Sequence, residues 1–348
     1  MNGWLDVIDG GLGNAIQDAG RYGYRHMGVA VSGFLDPVFA ACANALVGNP
    51  DDAAAIEIRG LGPSLKVRQG PLRLALSGSI SASILRHGGS TQELPAWHSA
   101  TLETGDILKC GAVSGGTAYL AISGGIDLVP QLGSRATYQR AGIGGIDGRL
   151  LAAGDALPCH RLTRNEYREY RGEPWQHPSG PIRLLPGPQV DHFADGELAR
   201  FLAATYCVTR DSDRMGMRLD GPALAHRSPA HADIVSDAVT PGTLQVPGNG
   251  LPILLLADCQ TVGGYPKIAT VIRADLPRLA QCRAGDSLRF TTVDLPQARE
   301  IQRQEATRLT RWQQGITTYL PAGYLDENAL YTCNLIDGVV RAEPPIRD

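Results

Sequence analysis

Apolar positions along the 348-residue chain come in short runs closed off by Gly, Pro or Ser. Leu72–Leu76, Tyr119–Ile122, Ile182–Leu185 and Leu251–Ala257 are such runs, and their length and punctuation predict buried strands. Ile268–Ile272 reads as a further strand shortly after the last of them. Two segments repeat at helical spacing instead. From Asp36 the text offers an N-cap carboxylate, Pro37 at the first helical position, a stripe of Val38, Phe39, Cys42 and Leu46, and Gly48 as terminator. Between Asp195 and Tyr206, the residues Leu198, Phe201 and Leu202 predict a second helix. Pro296–Gln314 is rich in Arg and Glu but keeps Ile301, Leu309 and Trp312 on a loose helical period, so its charges read as a solvated face. Arg161–Gly180 is polar with Pro174 and Pro178 near its end, and reads as a linker. No repeat of solenoid period is visible, although two halves of similar β-rich character could hide a structural duplication.

Composition sharpens this picture. The 42 glycines and 23 prolines imply many turns and short elements, which favours a mainly β chain with a few short helices over a bundle. At roughly 150 residues per domain, the length suggests two domains. The 32 basic and 35 acidic residues leave a net charge of -3, so nothing steers the molecule toward nucleic acid or an anionic membrane. A hydrophobic share of 43% with 19% charged residues is that of a globular protein, not a disordered one. The start lacks a basic region followed by an apolar stretch, and Leu251–Ala257 falls far short of a membrane span. The expectation is a soluble, non-exported protein. Seven cysteines spread singly, with no C-x-x-C pair, suggest neither a disulfide framework nor a zinc site and fit a reducing cytoplasm.

Several chemistries drop out. No Gly-Lys pair exists, so no P-loop can form. Gly142, Gly144, Gly145 and Gly148 do not follow G-x-G-x-x-G spacing, and they read as a plain glycine turn. H-E-x-x-H and G-x-S-x-G spacings are absent, so neither metal nor serine-triad catalysis is expected.

Three segments are dense in residues that propensity alone would not choose. The first is Gln17-Asp18-Ala19-Gly20-Arg21-Tyr22-Gly23-Tyr24-Arg25-His26-Met27-Gly28-Val29, continuing through Ser32-Gly33 and Asp36-Pro37 to Asn44 and Gly48-Asn49. The second is Ser123-Gly124-Gly125-Ile126-Asp127 with Leu132-Gly133-Ser134-Arg135-Ala136-Thr137. The third starts at Ser212-Asp213-Arg214-Met215-Gly216 and runs to Asp258-Cys259-Gln260-Thr261-Val262-Gly263-Gly264-Tyr265-Pro266-Lys267. In this order they resemble the biotin-dependent carboxyltransferase, or allophanate hydrolase subunit 2, family, which includes the KipI antagonist and the C-type subunit of bacterial 5-oxoprolinase. The resemblance runs from about residue 12 to about residue 290, and Asn334–Val340 resembles the ending of longer members. It implies two cyclophilin-like β-barrel domains, here bounded as 1–175 and 176–295, followed by a helical arm and tail over 296–348. It also implies a partner of the subunit-1 type, KipI-like or the B-type subunit of 5-oxoprolinase, and a third subunit. Cys259 and Pro247-Gly248-Asn249-Gly250 depart from the family pattern.

The connection Asp258–Lys267 carries Asp, Gln, Thr, Tyr and Lys on a glycine hinge, a chemical inventory beyond what a bare hairpin needs. Gly263 and Gly264 permit positive φ or close approach of a ligand, and Pro266 biases Tyr265 toward an extended backbone. The same loop reads equally as a satisfied turn in which Asp258 and Thr261 bond local backbone. Lys267 is one of three lysines, with Lys66 and Lys109, against 29 arginines. A lysine here offers a compact ammonium that can lose its proton when desolvated. Arg21 and Arg25, flanking Tyr24, either grip a planar carboxylate, ureido or phosphate group or form structural ion pairs with Asp18 or Asp36. Arg214 either binds substrate or cross-links the two domains, and His192 reads as structural. With the resemblance added, Lys267, Tyr265 and Asp258 become the candidate catalytic groups. Arg21, Tyr24, Arg25, Ser32, Arg214, Gln260, Thr261, Gly263 and Gly264 become candidate substrate contacts.

The resemblance then implies three alternative activities. One is a subunit of an ATP-dependent 5-oxoprolinase-type complex, a lactam hydrolase converting 5-oxo-L-proline to L-glutamate, with ATP bound on a partner or in an unfamiliar pocket. Another is a biotin-dependent carboxyltransferase of the urea or allophanate type, whose biotin must sit on a separate carrier because this chain has no Met-Lys-Met site. The last is a non-catalytic regulatory partner of a KipI-like protein.

Overall fold

The computed structural model describes residues 2–162 and 169–319, and Asn334–Val340 lies outside them. Among the described residues, 23 mostly short strands and four α-helices make a mainly β molecule.

The N-terminal half folds as two sheets around one core. The first runs, in spatial order, Ala156–His160, Asn2–Asp9, Ser64–Gln69, Ile107–Cys110, Ser81–Leu85 and Thr91–Pro95. The second runs Ala15–Gln17, Ala55–Ile58, Ala118–Ile122, Leu72–Ser77 and Ser99–Leu102. Leu5, Val67, Leu74, Ile84, Leu108 and Leu120 meet between them, each fully shielded from solvent. The opposite face of the second sheet is covered by helix α1 (Pro37–Leu46), so its strands are buried on both sides and read as continuous apolar runs. Asp36 caps α1 as its sequence predicts, accepting from the N–H groups of Val38 at 3.1 Å and Phe39 at 3.0 Å.

The second half is one eight-stranded sheet, ordered Ser287–Leu288, Tyr206–Val208, Gly216–Asp220, Ile253–Leu255, Thr243–Gln245, Lys267–Val271, Ile182–Pro186 and Phe290–Thr292. Its two end strands are separated in sequence only by Arg289, which makes the sheet a nearly closed barrel. Phe193, Phe201, Met217, Leu244, Leu254 and Ile268 fill it. Leu35, contributed by the N-terminal half, packs into the same cluster. The seam between the halves continues through Thr117, whose hydroxyl donates to the Ala280 carbonyl at 2.9 Å, and Gln281, whose amide donates to Asp36 at 2.8 Å.

Helix α2 (Glu197–Ala203) is shorter than the Asp195–Tyr206 span suggests, because Gly196 sits in the left-handed region at φ 84 and Tyr206 already opens a strand. Helix α3 spans Leu276–Leu279. Helix α4 (Leu295–Gln314) begins with an Asp294–Gln297 capping box and turns Leu309 and Trp312 onto the α1 layer. The segment expected to be a plain linker does more than connect. Glu169–Arg171 pairs with Thr317–Tyr319, and Trp175 is buried beside α1. No helix among the described residues is long and apolar enough to cross a membrane.

Candidate functional site

The Asp258–Lys267 connection is not a hairpin. Strand Thr243–Gln245 lies between Ile253–Leu255 and Lys267–Val271, so the connection has to cross over it. On the way, Val262–Gly263 pairs with Asp237–Ala238 as a small two-stranded ribbon. A Cβ on Gly263 would fall 2.4 Å from the Gln245 amide nitrogen, so a larger residue there would have to displace that amide.

The candidate residues separate into two adjoining groups. The first spans the seam between the halves and centres on Arg214, a guanidinium with only 11% of its side chain exposed. It donates to Asp258 Oδ2 at 2.9 Å and Oδ1 at 3.0 Å, to Glu57 Oε1, and to the Gly33 carbonyl at 2.6 Å. Burial works against the charged form, but Glu57 and Asp258 outweigh it and hold the Arg214 pKa above the ordinary arginine value. Glu57 accepts in turn from the Tyr119 hydroxyl at 2.8 Å and the Leu35 N–H at 3.0 Å. Ser32 donates to Asp258 and to the Thr137 carbonyl, and holds φ 58, a left-handed conformation rare for serine. Asp258 is thus fully engaged, and Arg214 does cross-link the halves.

Arg21 is completely buried and donates to the carbonyls of Ala136 at 2.6 Å and Gln131 at 3.3 Å, leaving Nη1 without a partner among the described residues. Neither ion pair considered from sequence, with Asp18 or Asp36, forms at Arg21 or Arg25 among the described residues. Burial lowers the Arg21 pKa, with Asp18 and Asp258 pulling the other way. Arg25 reaches the carbonyls of Val239 and, at 3.4 Å, Gln260, which ties the first group to the crossover. Tyr24, half-buried, stands at the start of the short 3-10 turn Arg25–Met27. Cys259 beside them is pushed up to about 11 by burial, against a downward pull from Arg25.

The second group lies around the ribbon. Lys267 is only 4% exposed, and its ammonium donates to Asp237 at 2.5 Å and to the Ala238 carbonyl at 3.3 Å. The hydrogen bond from Lys267 holds the Asp237 carboxyl below its ordinary pKa. Opposite Lys267 in register is Gln245, 2% exposed, whose Nε2 lacks a partner among the described residues and whose Oε1 accepts from Gln260 at 3.2 Å. Gln245 and Gln260, with Tyr265 at 40% exposure, line a cavity of about 560 Å³. Arg140, Arg210 and Arg218 line the same cavity together with Asp211 and Asp213, so its wall carries charges of both signs. Thr261 and Gly264 serve the crossover through backbone, accepting from Val239 and Ile234 at 3.1 and 2.8 Å.

Glu57, Asp237, Gln245 and the three cavity arginines were not singled out from sequence. Glu57 sits 157 residues before Arg214, and nothing local marks it. Among the described residues, no cluster of three or more His, Cys, Asp or Glu side chains is placed to hold a metal.

Comparison with known proteins agrees with this architecture. A family model described as a carboxyltransferase domain, subdomains A and B, matches residues 27–292. The C-type subunit of 5-oxoprolinase from Escherichia coli (strain K12) is 35% identical over 302 residues, covering 86% of this chain and 95% of that protein. Urea amidolyase of Lachancea kluyveri is 30% identical over 89% of this chain but only 18% of its own length. The crystal structure of the Kluyveromyces lactis urea carboxylase superposes with a TM-score of 0.78 at 26% identity, covering 89% of this chain and 29% of that one. The chain thus spans less than a third of either larger protein.

Proposed function

The chain belongs to the family of carboxyltransferase domains with subdomains A and B, and from that premise we propose that it is one subunit of an ATP-dependent complex opening 5-oxo-L-proline to L-glutamate. The observation that carries the proposal is the degree of likeness: the chain is 35% identical to the C-type subunit of 5-oxoprolinase, with 95% of that protein matched, against 30% identity to urea amidolyase.

The geometry of the crossover site supports such a substrate. An amide is a poor electrophile, and ATP activates it by phosphorylating the carbonyl oxygen before water attacks, so the site must hold anionic oxygen. In this reading, a guanidinium among the lining residues Arg140, Arg210 and Arg218 holds the substrate carboxylate. Gln245, with its unpartnered Nε2, and Gln260 orient the lactam, and Tyr265 relays a proton at the cavity surface. Lys267, which is not itself among the residues lining the cavity, stabilises the developing oxyanion once Asp237, half-exposed on the ribbon, swings away and the ammonium turns toward the cavity. Arg214, Asp258, Ser32 and Arg25 act as positioning residues that fix the crossover against the N-terminal half. With no Walker motif in the chain, the triphosphate is assigned to a partner subunit. We assign the chain to the cytoplasm on the same reading.

A second reading, carboxyl transfer from carboxybiotin, is favoured by the likeness to the urea carboxylase structure. Gentle purification of the tagged chain, with mass spectrometry of its companions scored for covalent biotin, separates the two. Unbiotinylated subunit-1-type and third-subunit companions support the 5-oxoprolinase reading, whereas a biotinylated carrier replaces it with carboxyl transfer.

A further inference from the structure

A larger cavity, about 1040 Å³, opens elsewhere on the N-terminal half, and none of its lining residues borders the crossover cavity. Arg73, Ser123, His160 and Tyr170 line it together with the Gly48–Pro50 turn after α1. Arg73 is the anomaly. It interrupts the apolar strand Leu72–Ser77, its neighbours Leu72 and Leu74 enter the core, and it is only 6% exposed. Among the described residues, its Nε and Nη2 have no hydrogen-bond partner and it forms no ion pair. Its only charge-related contact there is with the Tyr170 ring, centred 5.1 Å from the guanidinium carbon.

Three carboxylates also border the cavity: Asp18 is held by the Ser134 hydroxyl, Asp127 by Arg135, and Asp52 is exposed. Strand register places Thr101 beside Arg73 on one side, and the Leu74–Ile122 pairing places Ser123 beside it on the other. The Thr101 hydroxyl is also buried without a partner among the described residues. Thr101, Arg73 and Ser123 thus stand in a row across two strands and the residue just past the end of a third, with the Tyr170 ring over the guanidinium. Nε–H and Nη2–H lie along one edge of the planar guanidinium and form the fork that matches two oxygens of a carboxylate or phosphate. A buried guanidinium left without such a counter-group is disfavoured, and an oxyanion is the group that would satisfy it.

We propose that this cleft is a binding site for a small-molecule oxyanion, a carboxylate or phosphate, anchored by Arg73 and assisted by the Ser123 hydroxyl, with the Tyr170 ring turning aside to admit it. The cavity has room for the body of a metabolite-sized ligand beyond the anionic group. The site is separate from the crossover chemistry and does not depend on it.

Thermal melting of the full chain, titrated separately with inorganic phosphate and with propionate at constant ionic strength set by chloride, tests the proposal. Wild type should show a saturable rise in melting temperature with one probe or both, and the responding probe identifies the preferred oxyanion. Arg73→Met should weaken that response at least tenfold yet melt no lower than wild type without ligand, because it replaces an unpaired buried charge with an apolar stem. Arg73→Lys keeps the charge but loses the fork, and should also weaken the response at least tenfold. No saturable response to either probe, or an unchanged response in both variants, overturns the proposal.

Discussion

Replacing Arg214 with Met tests whether the two halves are held together by a buried charge network. The substitution keeps most of the side-chain volume but removes four hydrogen bonds, to Asp258 twice, to Glu57 and to the Gly33 carbonyl. Two carboxylates with side-chain exposures of 1% and 8% are then left without their cation. Breaking one partner out of a buried pair costs about 3–5 kcal/mol, mostly the penalty of the stranded charge. Arg214→Met should therefore lower the unfolding free energy by about that much in urea titrations followed by circular dichroism. Because Glu57 lies in the N-terminal half while Arg214 and Asp258 lie in the barrel, the variant should also uncouple unfolding into two transitions. Adding Glu57→Gln and Asp258→Asn to Arg214→Met should restore more than half of the loss by neutralising the stranded charges. A loss below about 1 kcal/mol, the level of a surface pair, or no recovery in the triple variant, would refute the reasoning.

Further outcomes are equally concrete. Gly263→Ala should raise KM for the lactam more than it lowers kcat, since its Cβ pushes into the Gln245 amide, and steady-state kinetics of the complex read the split. Burial pushes the Cys110 and Cys159 thiols up to about 12, so iodoacetamide at pH 8 should leave both unmodified in the folded chain and label both in urea, by peptide mass spectrometry. Asp237 has a depressed pKa, so the advantage of its pairing with Lys267 is present above the unfolded value of about 4 and is lost as pH falls through the lower folded value. A carboxyl-carbon NMR titration should place the Asp237 midpoint below that of free aspartate in wild type and restore it in Lys267→Met.

The parts of the fold that were legible in the sequence are those fixed locally. Asp36, Pro37 and Gly48 delimit α1 because capping is a contact between near neighbours, and Leu72–Ser77 and Ala118–Ile122 announce themselves by being buried on both faces. The crossover was not legible, because Thr243–Gln245, the strand beneath it, is three residues long and has no period to detect. The candidate site divided along the same line. Asp258, Arg214 and Lys267 carry unusual chemistry in a dense motif, whereas Glu57 and Gln245 acquire meaning only from partners that folding brings to them. Arg73 was hidden inside an apolar run, since pattern alone does not say that a charge on a doubly buried strand lacks a counter-charge.

The central claim is most directly tested by measuring L-glutamate released from 5-oxo-L-proline by the complex purified through this chain, with and without ATP, alongside the same complex carrying Lys267→Ala. The account predicts ATP-dependent glutamate release that Lys267→Ala abolishes while the variant keeps its fold and its partners. Glutamate release that is unchanged in Lys267→Ala, or a complete purified complex that forms none with ATP present, would contradict it.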